Sequence, residues 1–132
     1  MADGLITLES RFSVKTTIDR LIADVTERGL TVFARIDHGG NAAQVGLELR
    51  PTELAIFGNP KGGTPLMQDR QTTGIDLPVK ALAWQDADGK VWLTYNDANW
   101  IAERHRLTTE SANAVRAVAA GMDVVTQAAA GA

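Results

Sequence analysis

A single α+β domain, with an antiparallel-rich sheet and helices packed on it, is the fold class this sequence predicts. Three observations carry it. The 132 residues are 45% hydrophobic and 22% charged, enough apolar side chain for one core and too little charge for a disordered chain. Apolar periodicity changes along the chain in the order strand, helix, strand, strand, helix, strand, strand, helix. Helices do not alternate strictly with strands and a hairpin lies late in the chain, which argues for antiparallel pairing.

Each element has a local reason. Leu5 to Arg11 alternates around Ile6 and Leu8 and predicts a first strand. Ser13 is placed as an N-cap, Val14, Ile18, Leu21, Ile22 and Val25 recur at helical spacing, and Gly29 stands where a helix ends in a left-handed residue. Leu30 to His38 predicts a second strand, with Val32, Ala34 and Ile36 on one face and Thr31, Arg35 and Asp37 on the other. Gly39, Gly40 and Asn41 are expected to break it, with a helical turn at Ala42 to Val45, before a third strand over Thr52 to Phe57. A loop over Gly58 to Gly63 then leads to a short helix with Thr64 as N-cap and Pro65 at its first position, ending near Arg70. After a turn at Gly74 to Pro78, Val79 to Gln85 and Lys90 to Tyr95 form a hairpin about Asp86-Ala87-Asp88-Gly89. Asp97 is expected to cap a short helix carrying Trp100, Ile101 and Arg104. Thr108 is expected to cap a longer one in which Ala112, Val115, Ala119 and Met122 share a face, with fraying beyond about Gln127.

Composition narrows the function classes. A formal net charge of −3 leaves no excess of Lys and Arg to neutralise phosphates, so nucleic acid is not an expected partner. The absence of cysteine excludes disulfides, thiolate nucleophiles, zinc fingers and iron–sulfur ligation. No basic segment followed by an apolar run opens the chain, and no apolar stretch approaches the length of a bilayer span, so a cytoplasmic protein without membrane insertion is expected.

Several motifs together resemble the bacterial domain of unknown function 302 family. They are Ile36-Asp37-His38, Leu49 to Leu54, and Phe57-Gly58-Asn59-Pro60-Lys61-Gly62-Gly63-Thr64-Pro65-Leu66-Met67. Ile75 to Lys80, Trp84, Gly89 to Trp92, Tyr95-Asn96-Asp97 and Arg104-His105 follow in the same order. The resemblance spans roughly residues 5–107, so residues 1–107 are expected to form the family-like α+β domain, with residues 108–132 a helix and tail of the same unit. It implies a β-α-β(4)-α architecture of the TATA-binding-protein-like kind and a small dimer, but no particular activity.

The Gly58 to Thr64 segment superficially resembles a phosphate-binding loop, but Lys61 precedes the glycine pair instead of following it, which argues against a nucleoside triphosphate. Backbone amides of Gly62 to Leu66 beside Lys61 are the candidate anion cradle, set against an ordinary strand-to-helix turn. His38, Asp76, Tyr95 and His105 are the titratable candidates for acid–base work; in structural roles they would instead cap turns and satisfy local hydrogen bonds. Neither histidine stands at metal-ligand spacing with the acidic residues, and haem held by Met67 with a histidine lacks any attachment motif, so no metal or cofactor is expected. Trp84, Trp92 and Trp100 are read as core or interface anchors. The resulting expectation is a homodimer whose small polar pocket, bordered by His38, Asn59, Lys61, Gly63, Thr64, Asp76 and Tyr95, binds a polar or anionic ligand. An enzyme using His38, Asp76 and Tyr95, or a dimeric interaction module, are the alternatives.

Overall fold

The alternating segments pair as one sheet. In the computed structural model, which describes residues 3–132, the strands are β1 (Leu5–Ser10), β2 (Thr31–Asp37), β3 (Thr52–Gly58), β4 (Val79–Gln85) and β5 (Val91–Asn96). Their order is β1-β5-β4-β3-β2 and every neighbouring pair is antiparallel. The helices are α1 (Val14–Glu27), α2 (His38–Gln44), α3 (Pro60–Asp69), α4 (Ala98–His105) and α5 (Ala112–Ala130), with 3-10 turns at Gln71–Asp76 and Thr109–Ser111. The α+β class with an antiparallel sheet is therefore the observed one. Among the described residues no helix is long and apolar enough to cross a membrane.

One face of the sheet carries the core. Ile18, Leu21 and Val25 of α1 and Met122, Val125 and Ala129 of α5 pack onto Ala55, Phe57, Ala81, Ala83, Leu93 and Tyr95. Three alanines on the central strands let the helices approach closely, and each fully buried Ile or Leu contributes about 1.5–3 kcal/mol by leaving water. Ser13 caps α1 by accepting from the Thr16 amide at 3.1 Å, and Gly29, at φ +83°, ends it as the sequence predicts. Asp97 likewise caps α4. At the sheet edge the Arg35 guanidinium joins Glu53 of β3 at 2.8 Å and Asp19 of α1 at 2.6 Å, tying helix to sheet.

Four local expectations are corrected. The alternation of β2 does not run through: Phe33 is an extra residue between the pairs Val32–Phe57 and Ala34–Ile56. Val32 therefore faces the helices while Ala34 and Ile36 face away. Gly39 and Gly40 do not end in a loop. Asp37 accepts from the Gly40 amide at 2.9 Å and starts α2, and a Cβ on Gly40 would lie only 2.6 Å from that carboxylate. Helix α3 begins at Pro60 with Asn59 as its cap, so Thr64 is not the cap and Pro65 lies inside the helix. Finally, Ala128 to Ala130 do not fray.

The end of α5 is held by three donors. The Arg11 amide donates to the Ala130 carbonyl at 3.0 Å, and the Arg20 guanidinium donates to the carbonyls of Ala129 and Ala128 at 3.1 and 2.9 Å. These satisfy carbonyls that a helix C-terminus otherwise leaves open, and they place a cation at the negative end of the helix dipole. Ala129 and Ala130 are buried as a result. A chain ending at Thr108 would expose the covered face of the sheet. It is expected to show no cooperative thermal transition by circular dichroism, whereas a transition at the full-length temperature would show that α5 is dispensable.

Candidate functional site

The register of β3 and β4 sets Phe57 opposite Val79, so the chain segments after β3 and before β4 meet at one end of the sheet. Gly58 and Asn59 turn into α3 there, and Leu77 and Pro78, joined by a cis peptide, enter β4. Helix α5 crosses the same end. Between them lies a cavity of about 640 Å3, within the range that holds small organic molecules.

The cavity wall is apolar and its space comes from small residues. Helix α5 presents Ala117, Ala120 and Gly121 to it, and α3 presents Gly62 and Gly63. A Cβ placed on Gly121 or Gly62 would meet nothing within 4 Å. Phe57, Met67, Met122 and Val125 supply the apolar surface, and the bulge in β2 brings half-exposed Phe33 into the wall. Arg28, Asn59 and Thr64 are the polar side chains that border it among the described residues.

Of the amides expected to cradle an anion, those of Gly62 and Gly63 already donate to the Asn59 carbonyl at 2.8 and 3.1 Å and Pro65 has none, while the neighbouring Lys61 amide donates to Asn59 Oδ1 at 3.0 Å. The sequence-predicted residues divide accordingly. Asn59, Gly63 and Thr64 line the cavity, as does Met67, while Lys61, Asp76, Tyr95 and His38 do not. His38 follows β2 at the opposite end of the sheet from Asn59, because Asp37 pairs with Glu53 and Thr31 with Gly58. Tyr95 lies in the core beneath the helices, where burial pushes its phenol pKa up against the opposing hydrogen bond of the Thr126 hydroxyl. Neither histidine lines the cavity beside Met67.

Asp76 belongs to a different constellation. Its Oδ2 lies 2.6 Å from His105 Nε2, and Arg104 Nη1 donates to its two carboxylate oxygens at 2.9 and 3.1 Å. The other ring nitrogen of His105 lies 3.0 Å from the Thr72 hydroxyl. These groups lock the 3-10 turn at Gln71–Asp76 to α4. The open space beside Asp76 is about 10 Å3, room for one water and no substrate. His38 thus lies at the other end of the sheet from Asn59, and the side chains bonded to Asp76 are Arg104 and His105 and not His38 or Tyr95. Asn59, Gly63 and Thr64 of the expected polar pocket border a large apolar cavity.

The molecule is thus an antiparallel α+β domain with an apolar, ligand-sized cavity at one sheet end. It belongs to the family named domain of unknown function DUF302, which it matches over residues 6–127. A solved structure, the uncharacterized conserved protein DUF302 from Bacillus stearothermophilus, superposes with a TM-score of 0.73 over 96% of this chain and 95% of that one, and at 17% identity it shows the shared fold alone. Over 128 residues the chain is also 55% identical to the fluoride-specific ion channel FluC 1 of Brucella suis and to that of Brucella abortus. That alignment covers 97% of this chain and 50% and 47% of those proteins, so the chain spans about half the length of the curated relatives it matches.

Asp76 is expected to matter for stability. Asp76→Asn removes the carboxylate that a nearly buried His105 and Arg104 share and should cost about 1–3 kcal/mol in urea unfolding. An unchanged midpoint would contradict the structural role.

Proposed function

We propose that this domain binds a small, predominantly apolar molecule in the cavity between α3, α5 and the adjoining ends of β3 and β4. The observation that carries the reading is the cavity itself: about 640 Å3 walled by Phe, Met, Val, Ala and Gly side chains, with three polar groups at its border. A molecule that binds the folded chain and not the unfolded one stabilises it by mass action, so binding and stability are coupled. In the Brucella relatives a region alike in sequence occupies about half of a protein named as a fluoride channel. On this reading it is a ligand-binding companion to the remainder of those chains.

Gly121 offers the direct test, because a larger side chain there enters open space from a helical position that gains propensity when glycine is replaced. Wild-type protein is expected to enhance the fluorescence of N-phenyl-1-naphthylamine saturably, at one probe per chain. Gly121→Leu should abolish the enhancement while melting at or above the wild-type temperature. Equal enhancement by both proteins would place the probe elsewhere and overturn the reading.

A second reading, self-association, is supported by the other face of the sheet. Helices α1 and α5 pack on the opposite face, and this one displays half-buried Ile36, Leu54, Leu82, Trp84 and Trp92, the two indoles with ring centroids 6.4 Å apart. Their polar atoms are already satisfied within the chain: Trp84 Nε1 donates to Thr94 and Trp92 Nε1 to Asp86, leaving apolar ring surface outward. A homodimer through this face is expected to sediment as a dimer at micromolar concentration and as a monomer for Trp84→Asp. A wild-type monomer mass would sink it.

A further inference from the structure

We propose that the molecule held in the cavity is an amphipathic anion, an aliphatic or aromatic body bearing a single carboxylate, with its charge held by Arg28 at the cavity border. This rests on the ligand-binding reading above and adds the charge of the ligand to it. The argument is one of charge complementarity. Arg28 is the one ionic side chain among the described residues that line the cavity, and no Asp or Glu accompanies it there. Asp24, outside the lining, offsets part of the Arg28 charge through Nε, so the preference for an anion rests on the remaining Nη edge of the guanidinium and on a lining that holds no acidic side chain among the described residues.

The geometry leaves Arg28 able to act. Its Nε donates to Asp24 Oδ2 at 3.0 Å, one turn back along α1, which fixes the side chain beside the cavity. Among the described residues no acceptor engages its two Nη groups, so one edge of the planar fork remains for a carboxylate. The side chain is 46% exposed, so the head group would sit at the solvent boundary and not deep in the protein. An ion pair placed there avoids the desolvation cost of a buried one. The apolar body would extend over Phe33, Met67 and Val125, all of which line the same space. Asn59, whose Oδ1 is committed to the helix cap, is the second polar group at the border, and Thr64 the third.

The experiment compares three twelve-carbon competitors that differ only in their head group. Dodecanoate, dodecanol and dodecyltrimethylammonium, each below its micellar concentration, displace bound N-phenyl-1-naphthylamine at neutral pH. Dodecanoate is expected to displace at a concentration about tenfold lower than dodecanol, and the ammonium to be the weakest, which corresponds to one good charged contact. Arg28→Gln should bring dodecanoate to within about threefold of dodecanol, both read against that variant's own affinity for the probe, and Arg28→Lys should restore part of the preference. Equal displacement by acid and alcohol in the wild type, or a preference that survives Arg28→Gln, overturns the charge assignment and leaves the cavity reading standing. Failure of the probe and all three competitors to bind overturns both.

Discussion

A five-stranded antiparallel sheet can bury only the face that its helices cover, and here that cover depends on α5 being held at its end. Arg11 and Arg20 fix the last carbonyls of α5 against α1 and the loop after β1, and Phe12 packs beneath the Arg20 guanidinium at 4.2 Å. With that end fixed, the helix lies across the sheet and the buried pair Met122 and Val125 reaches Phe57 and Tyr95. Its middle, built from Ala117, Ala120 and Gly121, then crosses the end of the sheet where α3 begins. The same element that completes the core also fails to fill the space at its border, because its side chains there are too small. Stability and cavity are consequences of one placement.

The two clusters at this end of the sheet differ in kind: one fastens helices through polar groups and the other leaves apolar space. Asp76, His105, Arg104 and Thr72 satisfy one another and leave room for no more than a water beside them. Asp69 does similar work one element earlier: it accepts from the Thr108 amide and hydroxyl and from Ser111 at 2.6 Å, and the Ser111 bond is the first reason its carboxyl sits below the usual carboxylate range. These polar groups fasten α3, α4 and α5 to each other around the cavity without entering it. What lines the cavity is chemically plain, with Arg28 the one ionic group on its border among the described residues.

Much of the fold was legible in the sequence, because its signals are local. The Ser13 cap, the apolar stripe of α1, Gly29 and the Asp86 to Gly89 hairpin each settle their element within a few residues. Where two local signals compete, the sequence alone does not choose. Asn59-Pro60 and Thr64-Pro65 are both cap-then-proline pairs, and α3 starts at the first because Asn59 can serve the amides of the first turn with both its side chain and its carbonyl. The alanine-rich end of α5 reads as a fraying tail until its carbonyls are seen to meet arginines more than a hundred residues away in the chain. The site was harder still. Titratable residues draw attention in a sequence, whereas this cavity is made of glycine, alanine, methionine and valine from several separate segments, a pattern with no motif. Asn59, Gly63 and Thr64, singled out by the glycine-rich segment, line the cavity, whereas Arg28 and Gly121, which also line it, carried no signal of their own.

The central claim, that the space between α3 and α5 takes an apolar ligand, is tested most directly by methyl NMR of the protein during titration with dodecanoate. Saturable shifts at Met67, Val124 and Val125, with Leu54 and Leu82 on the uncovered sheet face unchanged, are the predicted result. Shifts confined to Leu54 and Leu82, or none that saturate, would contradict it.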